Sequence, residues 1–259
     1  SELLRLEIRL LRDKDFRKRK KSPMSELEKK LISSLPFSLT PDQIKATDEI
    51  REDLDSKEPM ERLLQGDVGS GKTLVAWISA LHVIANGGQV AFMAPTELLA
   101  RQHAELAAKL LEPLGINTAL VIGDINSKAR KLLLSAIERG DADLAIGTHA
   151  LFSGDVKFRN LRYVIIDEQH RFGVAQREAL KNKGERPDVL SMTATPIPRT
   201  LALTLYASLD ISTIKTMPNG RRPIITHLVS NEKRMDMYKA VNTEFSRGHQ
   251  AYFVYPRIS

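Results

Sequence analysis

The sequence predicts an α/β fold, a mostly parallel sheet with helices on both faces. Three observations predict it. Apolar strand-like runs alternate with helical patterns through the middle of the chain. The stretch Gly66-Asp67-Val68-Gly69-Ser70-Gly71-Lys72-Thr73 separates one such strand from one such helix. Polar residues recur where strands end: Thr96, Thr148, Asp167 with Glu168, and Thr193. In sheets of this kind ligands bind beyond the carboxyl ends of the strands.

The 259 residues are enough for one or two domains and a sizeable core. The formal charge of +7 fits either an anionic partner or solvated lysines on an enzyme surface. There is no cysteine, which excludes disulfides and thiolate metal sites. No signal peptide and no apolar run of membrane-spanning length is evident, so a cytoplasmic location and no membrane partner are expected. The chain begins with Ser1 rather than Met and stops at Ser259 just after an apolar run, and both ends look cut.

In order, residues 1–34 predict a helical linker. Leu3, Leu6 and Leu10 repeat at helical spacing with Leu4, Ile8 and Leu11. Arg12 to Lys21 holds seven basic residues in ten, suited to nucleic acid phosphates or to a solvated helix face. After Ser22-Pro23, Ser25 and Glu28 form a capping-box pattern that starts a short helix toward Leu31 and Ile32. Thr40, Pro41 and Gln43 repeat the device: N-cap, first helical position, capping box. Capping alone explains Gln43. Its amide also carries the donor and the acceptor that reading adenine requires.

Arg62 to Gln65 ends a strand, and Thr73 to Ala85 is apolar enough for a buried helix. Between them, Gly66 to Thr73 fits the phosphate-binding pattern G-x-x-x-x-G-K-[ST]. The glycines let successive N–H groups turn toward one anion, and the helix that follows presents its positive end there. Lys72 is then expected at the β- and γ-phosphates of ATP, and the Thr73 hydroxyl on Mg²⁺. Asp67, Ser70 and Leu74 complete the nucleotide-facing stretch.

Strands follow at Gly88–Ala94, Asn117–Ile122, Asp143–Gly147, Arg162–Ile166 and Asp188–Met192, with helices at Glu97–Leu111, Asn126–Arg139 and Pro196–Tyr206. The strand from Tyr163 to Ile166 runs into Asp167-Glu168-Gln169-His170. With a phosphate loop upstream, Asp167 is suited to the metal and Glu168 to orienting or deprotonating the attacking water. Gln169 and His170 are candidates to sense the γ-phosphate. After the turn at Met217 to Pro223, a strand at Ile224–Val229, a helix at Glu232–Phe245 and a strand at Gln250–Tyr255 open a second β-α-β alternation.

GDVGSGKT, the run DEQHRFGVAQR from Asp167 to Arg177, and SMTATPIPRTLALTLY from Ser191 to Tyr206 together resemble the superfamily 2 helicases, and within them the bacterial helicases of branched DNA. The resemblance covers about residues 37 to 259. It implies a RecA-like phosphate-loop NTPase lobe over residues 35–216 and a linker with the start of a second lobe over residues 217–259. It implies that Phe37 and Gln43 read adenine, that Gly66, Gly69, Gly71, Lys72 and Thr73 hold the phosphates, and that Asp167 to His170 form a DExH-type box. Thr193, Ala194 and Thr195 match the segment that couples hydrolysis to movement. Pro95, Thr96 and Arg101, Gly123, and Thr148 with His149 match segments that grip the backbone of one DNA strand, contacts that carry little base information. Helix capping is an alternative for Thr96 and Thr148. The translocases that couple transcription to repair share these boxes. DEQH and the run MPNGRRPI from Met217 to Ile224 favour the branched-DNA enzymes. Such enzymes complete their site with arginines of a second lobe and split DNA with a wedge domain. Neither is in this sequence, which is therefore expected to bind nucleotide and turn it over slowly or not at all. A binding module without turnover is the alternative.

Overall fold

The computed structural model describes residues 22–123, 127–168, 183–184, 186–195, 210–217 and 225–255. The chain divides into two compact units, Ser1–Asn219 and Gly220–Ser259.

The described residues of the first unit hold seven strands: β1 (Glu61–Gly66), β2 (Gln89–Met93), β3 (Thr118–Val121), β4 (Leu144–Gly147), β5 (Leu161–Ile166), β6 (Asp188–Thr193) and β7 (Asp210–Ile214). Their order in the sheet is β3-β4-β2-β5-β6-β1-β7, and every pairing is parallel. Its described α-helices are α1 (Glu26–Ser34), α2 (Pro41–Leu54), α3 (Lys72–Ala85), α4 (Glu97–Leu111) and α5 (Ser127–Arg139).

The two-residue period of the strands sorts the core into two layers. Val90 and Phe92 of β2 join Tyr163 and Ile165 of β5 in a cluster with Leu31, Ile50, Trp77 and Leu81 from α1, α2 and α3. Ala91 and Met93 point the other way, with Val164, Ile166 and Ile137 of α5. α3 is buried along most of its length, and Trp77 stacks on Phe92 at 4.7 Å between ring centroids. Burying a large aromatic here contributes on the order of 2–3 kcal/mol.

Both expected capping boxes form. Ser25 caps α1 with Glu28, and Thr40 caps α2 with Gln43. Glu28 and Leu31 of α1 are fully buried, so this helix is packed into the core of the first unit. β7 was not foreseen. It pairs with β1 and is held by two polar clusters. Arg62 donates to Asp53 at 2.7 Å and to Ser212 at 2.9 Å, and Ser212 donates to Glu49. Asp42 accepts from the backbone of Lys215 and Thr216 at 2.9 and 2.8 Å.

In the second unit α6 (Arg234–Ser246) follows a short 3-10 turn, in agreement with expectation. The strands expected at Ile224–Val229 and Gln250–Tyr255 are absent from the described residues: 225–230 and 250–255 carry no ladder. Leu228, Tyr252 and Val254 are largely exposed. An apolar run becomes a strand only when a neighbour takes its backbone hydrogen bonds, and among the described residues of this unit none does. The expected helices over residues 1–11 and 196–206 lie outside the described residues.

Candidate nucleotide site and strand-gripping edge

The parallel order brings the ends of five strands to one edge of the sheet. Read along that edge, they are β4 with Thr148, β2 with Pro95 and Thr96, β5 with Asp167 and Glu168, β6 with Thr193, and β1 with the phosphate loop. The residues expected at DNA fall at one end and those expected at nucleotide at the other. β5 and β6 join them through the pairing of Met93 with Ile166 and of Gln65 with Thr193.

The loop from Gly66 to Gly71 has the backbone that the pattern requires. Gly69 and Gly71 have φ of 78° and 91°, a left-handed region that costs glycine little. A Cβ on Gly71 would sit 2.2 Å from Gln43 Nε2. Lys72 folds back on the loop and donates to the carbonyls of Gly66 at 2.7 Å and Asp67 at 3.0 Å. Burial pushes its ammonium below the ordinary lysine value, and the charges of Glu168, Asp167 and Asp67 only partly offset this. An anion in the loop would favour the charged form. The Ser70 hydroxyl is buried with no hydrogen-bond partner among the described residues, a polar atom left inside the cradle. Gly71 is the N-cap of α3 and supplies no side-chain bond to its open N–H groups, which is the usual anion-binding end of such a helix. These features fit a nucleotide triphosphate.

Gln43 is 1 % exposed, and both ends of its amide are in use. Oε1 accepts from Thr40 N at 2.9 Å, and Nε2 donates to Ser70 O at 2.8 Å. It therefore ties α2 to the phosphate loop. Adenine reading would have to use the second N–H or the second lone pair of a buried amide. Phe37 lies apart from this tie, 52 % exposed, in an open groove of about 720 Å³ with Leu39, Ile44 and Asp48.

Asp167 and Glu168 close β5 as expected. Asp167 N donates to Met93 O at 2.8 Å, which fixes the strand end against β2. Glu168 has φ of 51°, an uncommon conformation for a residue with a side chain and a form of strain that collects at functional sites. The Thr73 hydroxyl and the Asp167 carboxylate are hard oxygen donors suited to Mg²⁺, which takes one or two protein ligands and completes its shell with phosphate and water. No cluster of three or more acidic, His or Cys ligands occurs among the described residues, so Mg²⁺ would need the nucleotide's own oxygens. Gln169 and His170 lie outside the described residues.

Thr193, Ala194 and Thr195 form a local turn: the two hydroxyls are 2.9 Å apart, and Thr195 N donates to Thr193 Oγ1 at 3.2 Å. Thr96 caps α4, accepting from Leu99 N at 3.3 Å, and Arg101, on the same helix, is exposed. Gly123 N donates to Glu97 Oε1 at 2.9 Å. Thr148 is buried, its hydroxyl without a partner among the described residues. Its neighbour His149 is exposed.

One residue at the edge was not foreseen. His103 of α4 has Nε2 3.0 Å from Asp167 Oδ2 and packs on Phe92 with ring centroids 4.5 Å apart. A signal existed. The buried stripe of α4 is Ala100, Ala107 and Leu111, and His103 is the polar residue at helical spacing within it.

The fold and this loop define a RecA-like nucleotide-binding lobe. Residues 40–204 match the DEAD/DEAH box helicase model, and the chain belongs to that family. It is 55% identical over 244 residues to the ATP-dependent DNA helicase RecG of Treponema pallidum, covering 92% of this chain and 36% of that protein. The RecG of Borreliella burgdorferi is 53% identical over 240 residues, covering 93% and 35%. A solved structure of RecG bound to a three-way DNA junction superposes with a TM-score of 0.81 at 46% identity, over 90% of this chain and 31% of that one. The chain thus spans about a third of the length of the relatives it matches.

Proposed function

We propose that this chain is the ATP-binding motor lobe of a DNA helicase that remodels branched DNA, such as forks and recombination junctions. The observation that carries it is the phosphate loop with Lys72 beside Asp167 and Glu168, on the same sheet edge as Thr96, Arg101 and His149. Likeness to a helicase solved on a three-way junction supports the substrate class. In this reading the lobe spans residues 35–216 and the start of a second lobe follows from residue 217; the break between compact units at Asn219 supports the second boundary, while α1 packs into the first unit ahead of residue 35. No helix among the described residues is long and apolar enough to cross a membrane, compatible with a cytoplasmic enzyme.

In this reading the loop N–H groups from Gly66 to Thr73 hold the phosphates and Lys72 exchanges its two carbonyl partners for phosphate oxygens. Mg²⁺, when bound with ATP, neutralises charge on the transferred phosphoryl group, and Thr73 and Asp167 would hold it. Glu168 orients the attacking water and takes its proton. Gln43 keeps the loop seated on α2, and Phe37 is the candidate to pack against adenine. Thr193 to Thr195, at the end of the strand between β5 and β1, pass the state of the site to the DNA-gripping end.

The test is ATP turnover by the whole protein with and without a three-way junction, for the wild type and Glu168→Gln. The reading expects stimulation by the junction and a loss of about 10²–10⁴-fold in the variant, with nucleotide binding retained. Turnover indifferent to DNA, or unchanged in Glu168→Gln, would contradict it.

A further inference from the structure

We infer that His103 is a positioning residue for the Asp167 carboxylate, and this rests on the reading of Asp167 as the metal-holding acid. The geometry is specific. A carboxylate only accepts, so the Nε2 that lies 3.0 Å from Asp167 Oδ2 carries the proton and donates it. Both side chains are largely buried, 12% and 14% exposed, which shields the bond from competing water. The ring itself has little freedom. Phe92 packs against it at 4.5 Å and Trp77 meets it edge-on at 6.4 Å. The backbone of Asp167 is held from the other side by Met93 O. The carboxylate is therefore fixed at two points, its peptide N–H on β2 and its Oδ2 on α4. With Oδ2 engaged by His103, Oδ1 would be the oxygen available to a metal.

A carboxylate free to rotate would present either oxygen or neither. Groups that orient a ligating carboxylate in this way change metal affinity or activity by about 10–100-fold when removed. Burial of a polar ring in a stripe otherwise made of Ala100, Ala107 and Leu111 would cost stability unless the ring had such a partner. His103 also lies two residues beyond Arg101 on the same helix, so one rigid element joins the strand-gripping edge to the acid.

The test measures the Mg²⁺ concentration that half-saturates binding of a fluorescent ATP analogue to the chain. His103→Phe keeps the packing on Phe92 and Trp77 and removes the donor. His103→Gln keeps a donor. The expected result is a Mg²⁺ midpoint raised about tenfold in His103→Phe, restored to within about threefold in His103→Gln, with analogue binding in the presence of a chelator unchanged in both. An unchanged midpoint in His103→Phe overturns the inference. So does an equal rise in both variants, which would mark a purely structural role. Lys72→Ala is the control for the underlying reading: if it leaves analogue binding intact, the site itself is misassigned and not merely His103.

Discussion

Replacing Glu28 is expected to be among the most damaging single changes outside the nucleotide site. Glu28 is fully buried on α1. Its Oε1 accepts from Arg51 Nε at 3.2 Å and a terminal guanidinium nitrogen at 3.1 Å. Its Oε2 accepts from Ser25 N at 2.7 Å and from His82 Nδ1 at 3.2 Å. The other ring nitrogen of His82 donates to Asp55 at 3.0 Å. Two carboxylates on one ring require two N–H donors, so His82 is an imidazolium. Burial alone would push His82 down, but the hydrogen bonds and charges of Glu28 and Asp55 outweigh it and hold the ring above the ordinary histidine value. Burial likewise pushes Glu28 up, and the bonds from His82 and Ser25 overcome it, leaving the carboxyl below its ordinary value. Glu28→Ala takes one carboxylate partner from each of two cations, His82 keeping Asp55 and Arg51 keeping Asp48, a loss of about 1–3 kcal/mol, and it undoes half a capping box worth about 1 kcal/mol. Glu28→Gln keeps the shape but turns a donor toward donors, and about 1–3 kcal/mol is expected.

The assay is urea unfolding followed by the fluorescence of Trp77. It is the single tryptophan of the chain and has no exposed surface. With a urea slope of about 2–3 kcal/mol per molar, the Ala variant should lose on the order of 1–2 M in midpoint. The pH dependence has a definite sign. The His82 contribution is complete below the ordinary value near 6.5 and fades as pH rises through its raised folded value. The Glu28 contribution fades in the opposite direction, as pH falls through its lowered value. The cost of Glu28→Ala should therefore shrink from pH 6 to pH 9. A midpoint within about 0.3 M of wild type at pH 6, or a cost that grows toward pH 9, would refute the reasoning.

Two further outcomes are expected. Gly71→Ala should both strain the backbone, by about 1–2 kcal/mol at φ of 91°, and drive Gln43 off Ser70. Its nucleotide affinity, read by titration calorimetry, should fall at least tenfold. Gln43→Ala should weaken ATP and GTP analogues alike, because its amide supports the loop through Ser70 O, and a selective loss of ATP would instead assign it to the base.

Much of this architecture is legible in the residues. β2 and β5 declare themselves because each is apolar on both sides, as a strand covered by helices must be. The two capping boxes and the glycine-lysine loop are local chemistry, complete within eight residues. What escapes the sequence is settled at a distance. β7 begins with a charged residue and is short. Its strand character comes from the open edge of β1 and from Asp42, more than 170 residues away along the chain. The runs at Ile224–Val229 and Gln250–Tyr255 have strand composition, and their described residues carry no ladder, the same rule acting in reverse. Within the site, the strand-end residues could be named from spacing, but the tie from Gln43 to Ser70 and that from His103 to Asp167 could not. Each joins two elements whose proximity exists only after the sheet has formed.

The measurement that most directly tests the assignment of the phosphate loop is equilibrium binding of a fluorescent ATP analogue with Mg²⁺, wild type against Lys72→Ala, with and without a forked DNA. The account predicts that the variant loses binding by at least two orders of magnitude while melting within a few degrees of wild type, and that forked DNA shifts the affinity of the wild type alone. Equal binding by both proteins would contradict it and place the nucleotide elsewhere than on Gly66 to Thr73.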